Sequence, residues 1–379
     1  MTAGIRPVDT LVVGGGLNGC ALAYYLTCEG ITDVLVAEAS EPGSGATAGS
    51  MGNVRQQFGT PLEIECSRRG LAFWKNVERD FGLACTFHQD GYLMVTGDAD
   101  TAEILRTHAA AQRAAGLTDV HLLPPDELPA IAPFLDPTGL ILGSWTPADG
   151  HVLPMDGLTA LATAARHKGA VVEKHWPVHS LERSAQGWQA RGPRGVILAR
   201  QVVVAAGAGT RELLLPYGVS LDIREADQYS VLTGPAYRGV PVPTLIDVDS
   251  GMCVEREGEG LLLAMLARNP APRDHEQLAE LFFEAAAVRA PALADLDITH
   301  QLTAHPTLGG DGHPYVGQAA DGLWALAFTG HGAMHGPPVA RALAREMAGR
   351  PDTTLDLSPW DLHRQPGPRS VLWRRNAAS

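Results

Sequence analysis

Asp9-Thr10-Leu11-Val12-Val13-Gly14-Gly15-Gly16-Leu17-Asn18-Gly19-Cys20 is the stretch that decides the fold, and Val34-Leu35-Val36-Ala37-Glu38 completes it. Asp9 to Val13 is a short apolar strand. Cys20 to Gly30 carries small and apolar residues on one helical face, and Val34 to Ala37 is a second apolar strand. The three make a strand–helix–strand unit of about 30 residues, the size of a parallel βαβ crossover. Gly14, Gly16 and Gly19 fit G-x-G-x-x-G: the first permits a tight turn, the second lets backbone approach a pyrophosphate, and the third lets the helix pack closely on the strand. The helix that follows this turn, with Leu17 and Asn18 inside the turn, points free N–H groups and its positive dipole end at phosphate. Glu38, about 20 residues past the last glycine, can accept hydrogen bonds from both ribose hydroxyls and repels a 2′-phosphate, with Ala39 next to it. NAD and FAD both suit such a unit, and NADP does not.

Further along, Glu41 to Gly52 is rich in Gly, Ser, Ala and Thr, which beside a dinucleotide unit points to a cofactor-contacting loop. Helices are expected over Pro61–Phe81, 102–128, 158–168, 276–289 and 339–349. Strands are expected over 91–95, 170–173, 201–206 and 323–328, with a Gly/His turn at 329–336. Segments of one βαβ domain are thus separated by segments of different character. The expected division is a discontinuous dinucleotide domain of 1–85, 146–220 and 301–365, a substrate domain of 86–145 and 221–300, and a tail from 366 to 379. The arginines after Pro359 (Arg364, Arg369, Arg374 and Arg375) read as a solvated extension.

A length of 379 residues suits two interleaved domains, and a formal charge of −13 argues against nucleic acid or an acidic membrane surface as partner. The five cysteines are odd in number and lack metal-ligand spacing, so reduced thiols are expected. The first ten residues lack a signal peptide's basic and apolar regions, and no run approaches a membrane span. A cytoplasmic location is the expectation.

Four segments carry a family resemblance: the glycine fingerprint, the loop Gly43 to Phe58, Ala205-Ala206-Gly207-Ala208, and Phe328-Thr329-Gly330-His331-Gly332-Ala333-Met334-His335-Gly336-Pro337. In that order they resemble the D-amino acid oxidase superfamily, and more narrowly its sarcosine oxidase, glycine oxidase and dimethylglycine dehydrogenase branch. The resemblance implies an α/β fold: a discontinuous Rossmann-like FAD-binding domain with an inserted α+β substrate domain on an antiparallel sheet. It also implies non-covalent FAD, since no His or Cys matches the family's attachment sites. Ser44, Gly45, Ala46, Thr47, Ser50, Met51 and Gly52 would run along the pyrophosphate toward the flavin. Val172 would present its backbone to the adenine, and Ala206 and Gly207 would pass close to the cofactor. Gly330, His331, Gly332, Ala333 and Met334 would lead into a helix whose N-terminus faces the flavin N1–C2=O edge.

The implied reaction is oxidation of a small amine or amino acid of the sarcosine, glycine or N-alkyl type. Hydride passes to flavin N5 and leaves an imine that can hydrolyse. Arg55 matches an arginine that binds the substrate carboxylate, and a guanidinium offers that group two parallel donors. Three departures stand out. Met334 occupies the position of a lysine that helps hold the carboxylate, with His335 as the nearby substitute. His305 stands where relatives have an arginine. Leu262 aligns with a lysine that assists O2 reduction, which favours a dehydrogenase with an unidentified redox partner over an O2-using oxidase. His331 and His335 lack a third ligand, so no metal is expected. Two rival readings are a 2-hydroxy acid oxidase or dehydrogenase, and the flavin-binding subunit of a hetero-oligomeric dehydrogenase. Neither the substrate's identity nor the oligomeric state follows from these residues.

Overall fold

The computed structural model describes residues 5–266 and 271–367. The expected βαβ unit is its centre. Parallel strands run in the order Val171–Glu173, Val34–Ala37, Ile5–Val13, Gly195–Val204, Leu323–Ala327, with Tyr315–Ala320 antiparallel at one edge. The strand Gly195–Val204 is longer than expected. Its first half pairs instead with a hairpin, Ser180–Ser184 and Gly187–Gly192, which the sequence reading did not resolve. Helices Leu17–Cys28, Pro154–His167 and Gly332–Met347 cover one face and bury Leu22, Leu26, Leu161 and Leu343. The other face packs on Trp188, Leu214 and Tyr315.

A second eight-stranded sheet takes its strands from 92–146 and 228–304. It is antiparallel except where Thr244–Asp247 runs parallel to Tyr92–Thr96. Its last strand, Ile298–Ala304, runs past the expected boundary at 300. Helix His275–Arg289 covers one face of this sheet, and Met51 packs against the other. A small three-stranded sheet of Asn53–Val54, Gly150–Val152 and Phe87–His88 joins the two halves.

Where capping signals are complete, the expected helix has the observed bounds. Pro61–Phe81 has Thr60 accepting from the Glu63 N–H and Gly82 in the left-handed region, at φ 64°. The expected helix 102–128 is shorter and starts earlier, Ala99–Ala114, capped by Asp98. Gly116, at φ 89°, turns the chain, and His121–Leu123 becomes an edge strand. The last helix departs most. It begins at Gly332, inside the expected turn, and carries Pro337 and Pro338. Proline removes a helical N–H and leaves a carbonyl four residues back without its donor. Here the Trp74 indole N–H takes over the Ala333 carbonyl, at 2.7 Å.

The tail also differs from expectation. Arg364 is buried, donating to Asp311 Oδ1 at 2.8 Å and lying 3.8 Å over the Tyr315 ring. Arg369, Arg374 and Arg375 lie outside the described residues. All five cysteines are free, with only Cys28 exposed. Among the described residues no helix is long and apolar enough to cross a membrane.

Trp74→Phe keeps the ring and strands the Ala333 carbonyl. The expected loss is about 1–3 kcal/mol of stability, seen as a lower melting temperature. An unchanged melting temperature would show that the indole bond does not hold the start of the last helix.

Candidate flavin site

A cavity of about 840 Å³ runs between the parallel sheet and the second sheet. Its wall begins at the glycine turn. A Cβ on Gly14 (φ 110°) would collide with the Ala205 carbonyl oxygen, and one on Gly19 with the carbonyl of Gly14. Only glycine lets the two central strands and the first helix meet there. Thr47 Oγ1 accepts from the Leu17 N–H at 3.1 Å, tying the Gly/Ser loop to the helix start. The Glu38 carboxylate accepts from the N–H groups of Gly15 (2.7 Å) and Ser40 (2.8 Å), which hold it at the cavity edge.

Two helix N-termini converge on this cavity, those of Leu17–Cys28 and Gly332–Met347. Asn18 is the wedge between them. A Cβ on Gly336 would strike its Oδ1, and one on Gly332 would lie 2.8 Å from its Nδ2. His331 precedes the second helix in the left-handed region, at φ 56°, a conformation uncommon outside glycine.

The structure brings together nearly all the expected cofactor residues. Gly14, Gly16, Leu17, Asn18, Gly19, Glu38, Ala39, Ser44 to Thr47, Ser50 to Gly52, Ala206, Gly207 and Gly330 to Met334 line the cavity. Val172 does not. It sits in a three-residue strand paired with Val36. Beyond it, the Trp176 N–H donates to the Glu38 carbonyl at 2.7 Å, and the chain returns so that Pro177, Val178 and His179 form that wall.

The expected substrate residues divide. Arg55 is 3% exposed and lies just behind the cavity wall. Its guanidinium donates to the Gln57 carbonyl, approaches His331 Nε2 at 3.4 Å and stacks 4.0 Å from the Phe58 ring centre. His335 is not on the wall. Its Nε2 lies 3.1 Å from Ser67 Oγ, its ring stacks on Trp360, and burial pushes its pKa down to about 3. It is neutral and cannot stand in for the missing lysine. His305 does line the cavity, half exposed at its mouth, with Nδ1 3.0 Å from Asp227 Oδ1. On a strand of the second sheet, Arg256 is engaged by backbone carbonyls, among them those of Ala236 and Tyr237.

With this geometry in place, the comparisons decide the family. Residues 9–346 match the family described as DAO, FAD dependent oxidoreductase. The chain belongs to that family. It is 25% identical over 391 residues to "Dimethylglycine dehydrogenase, mitochondrial" of Rattus norvegicus, covering 94% of this chain and 43% of that protein. It is 28% identical over 383 residues to "4-methylaminobutanoate oxidase (formaldehyde-forming)" of Paenarthrobacter nicotinovorans, covering 95% of this chain and 46% of that one. The chain therefore spans less than half the length of these curated relatives. Among solved structures, L-proline dehydrogenase from P.horikoshii shares the fold at a TM-score of 0.87 and 24% identity, covering 95% of this chain and 98% of that one.

The family's cofactor is FAD, and the residues fit it. The glycine cradle admits a pyrophosphate, two helix N-termini face it, and buried Asn18 Oδ1 has no partner. Sequence reasoning missed several polar residues beside this flavin site. Asp149 is fully buried and accepts from the Gln56 N–H (3.0 Å) and Nε2 (2.9 Å); burial pushes its pKa up to about 7 against those bonds and the nearby Arg55. Asn53 lines the cavity, with Glu255 behind it. The small sheet also gathers His88, Asp90 and His151, with the two imidazoles stacked at 4.9 Å. These residues are far apart in sequence, and only strand pairing unites them.

Two outcomes follow. Gly336→Ala forces Asn18 out of its wedge, so FAD binding should weaken at least tenfold by flavin fluorescence titration; unchanged binding would contradict the convergence argument. Asp149 has a folded pKa above its unfolded one, so its stabilising effect is full below about pH 4 and lost as pH rises through about 7. Asp149→Asn should therefore show a smaller fall in melting temperature from pH 5 to pH 8 than the wild type. An equal fall would show that Asp149 carries no such penalty.

Proposed function

We propose that this chain uses non-covalently bound FAD to oxidise a small amine that also carries a carboxylate, with N-alkyl amino acids as the best-fitting class. One observation carries the reading. Arg55 holds a full positive charge at 3% exposure, and no carboxylate pairs with it among the described residues. A buried charge without a counter-charge is costly, so a carboxylate brought by the ligand is its natural partner. Asp149 is the nearby acid; with its pKa at about 7 it is a carboxylate only above neutral pH, and its two oxygens are taken by the Gln56 N–H and Nε2 and not by Arg55.

The names of the relatives support the amine half, since both describe oxidation of an N-methyl amino acid. FAD, when bound, accepts the hydride from the carbon beside the amine nitrogen. The chain's task is to bind, orient and keep water out. Phe58 stacks on Arg55, Tyr92 lies 5.7 Å from it, and both are buried. His331 stands between Arg55 and the cavity, held edge-on to Phe58 at 5.1 Å. Burial, with Arg55 nearby, holds it well below the usual imidazole range, so it is neutral and leaves the arginine's charge uncompensated. Met334 lines the cavity without charge, so the carboxylate falls to Arg55. The imine product hydrolyses once released.

For the electron acceptor, the reading favours a redox partner over O2. Leu262 lies in an apolar cluster with Cys253 and Ala264, and no lysine stands near it in the sequence to assist oxygen.

The test uses the holoenzyme with N-methylglycine, N,N-dimethylglycine and 4-methylaminobutanoate, each paired with its decarboxylated amine. Arg55→Ala should retain FAD and raise the KM of the best carboxylate substrate at least tenfold, with little effect on the amine lacking that group. Equal KM values for wild type and variant would remove Arg55 from substrate binding.

A further inference from the structure

Glu255 is the most conspicuous buried acid that the proposed chemistry leaves unused. It is 0% exposed, and its Oε1 has no hydrogen-bond partner. Its Oε2 lies 3.2 Å from Thr244 Oγ1, which is also 3.0 Å from Asn53 Oδ1, and Asn53 stands near enough to favour the carboxylate form. Asn53 is on the cavity wall. Cys253, two residues earlier and so on the same face of its strand, belongs to the apolar cluster packed against Met51, another wall residue. The acid therefore stands one side chain behind the cavity.

A buried carboxyl with a bare oxygen is expensive unless a donor or a cation satisfies it. Among the described residues no cation forms an ion pair with it; His88 and Arg256 act instead on its acidic neighbours Glu257 and Asp90. Glu257 on its own strand and Asp90 on the neighbouring segment are both acids and add repulsion, while Cys253 and Tyr92 are neutral. Arg55 and Glu255 both lie near enough to Tyr92 to bear on its phenol. A cationic group and an acid close to one cavity suit a ligand that carries a carboxylate and an amino group.

We propose that Glu255, acting through Asn53 and Thr244, makes this part of the cavity a subsite for the protonated amino group of the substrate. Glu255 is a positioning residue in this scheme: the ammonium it attracts gives its proton to solvent water before hydride transfer, because only the neutral amine can leave an imine, and the inference rests on the amine reading above. The carboxylate is the form that attracts an ammonium. Burial pushes Glu255 up to about 8, so the subsite is charged above that pH and neutral below it. Free alkylammonium groups keep their proton to about pH 10. Capture of the amine therefore strengthens as pH rises through about 8.

The test is anaerobic flavin reduction in the holoenzyme, using whichever of the three N-methyl amino acids bleaches it best. Wild-type kcat/KM should fall on the acid side of about pH 8. Glu255→Gln keeps size and hydrogen bonds but removes the charge; it should abolish that limb and raise KM at least tenfold at pH 9, with FAD content unchanged. Acetate, which has no amino group, should perturb the flavin spectrum with the same Kd in both proteins, an outcome that general damage to the site would not give. Should Glu255→Gln fail to hold FAD, Asn53→Ala on the wall should show the same KM rise with unchanged acetate binding. A variant with the wild-type limb and KM would overturn the subsite and leave the amine reading intact. A wild-type flavin that no amine bleaches would overturn both.

Discussion

Two helices begin at the same place, and the rest of the site depends on how closely they do so. Asn18 lies between the starts of Leu17–Cys28 and Gly332–Met347, and Gly332 and Gly336 leave it the space. The convergence aims two sets of free N–H groups and two positive dipole ends at one cavity. An anionic pyrophosphate and a flavin that gains negative charge on reduction are both stabilised by that field. The cost appears nearby: His331 takes a left-handed backbone, and Pro337 and Pro338 sit inside a helix. Trp74 repairs the latter by donating to the freed Ala333 carbonyl.

The substrate side is organised by charge kept out of water. Among the described residues Arg55 is buried without a carboxylate partner, while Asp149 and Glu255 are buried acids with raised pKa values. A folded protein carries such groups at a stability cost, and they cluster where a ligand completes them.

Much of this was legible in the sequence because the deciding features are local. G-x-G-x-x-G, Glu38 at the end of the next strand and the Thr60-Pro61 cap each place their own backbone within a few residues. The Gly330 to Met334 segment was recognisable by resemblance, but its prolines hid the helix start, because the bond that compensates them comes from Trp74, far away in sequence. Val172 was misplaced for a related reason. The return of the chain to the cavity at Val178 follows from long-range bonds, among them those from the Trp176 N–H to the Glu38 carbonyl and from the His175 N–H to the Ser40 carbonyl. His335 and Arg364 looked available as sequence, and both are consumed by packing on distant residues. Asn53 stood inside the recognised Gly43–Phe58 loop with no role assigned, and Glu255 carried no motif; only the pairing of strands places Glu255 behind Asn53 at the cavity wall.

The central claim is that this cavity holds FAD and positions an amino acid for oxidation. Its most direct test is the visible spectrum of the purified holoenzyme during anaerobic titration with N-methyl amino acids and, separately, with 2-hydroxy acids. The account predicts flavin absorbance that bleaches with an amine and is unmoved by the hydroxy acids. A flavin bleached only by hydroxy acids, or a protein that cannot be loaded with FAD, would contradict it.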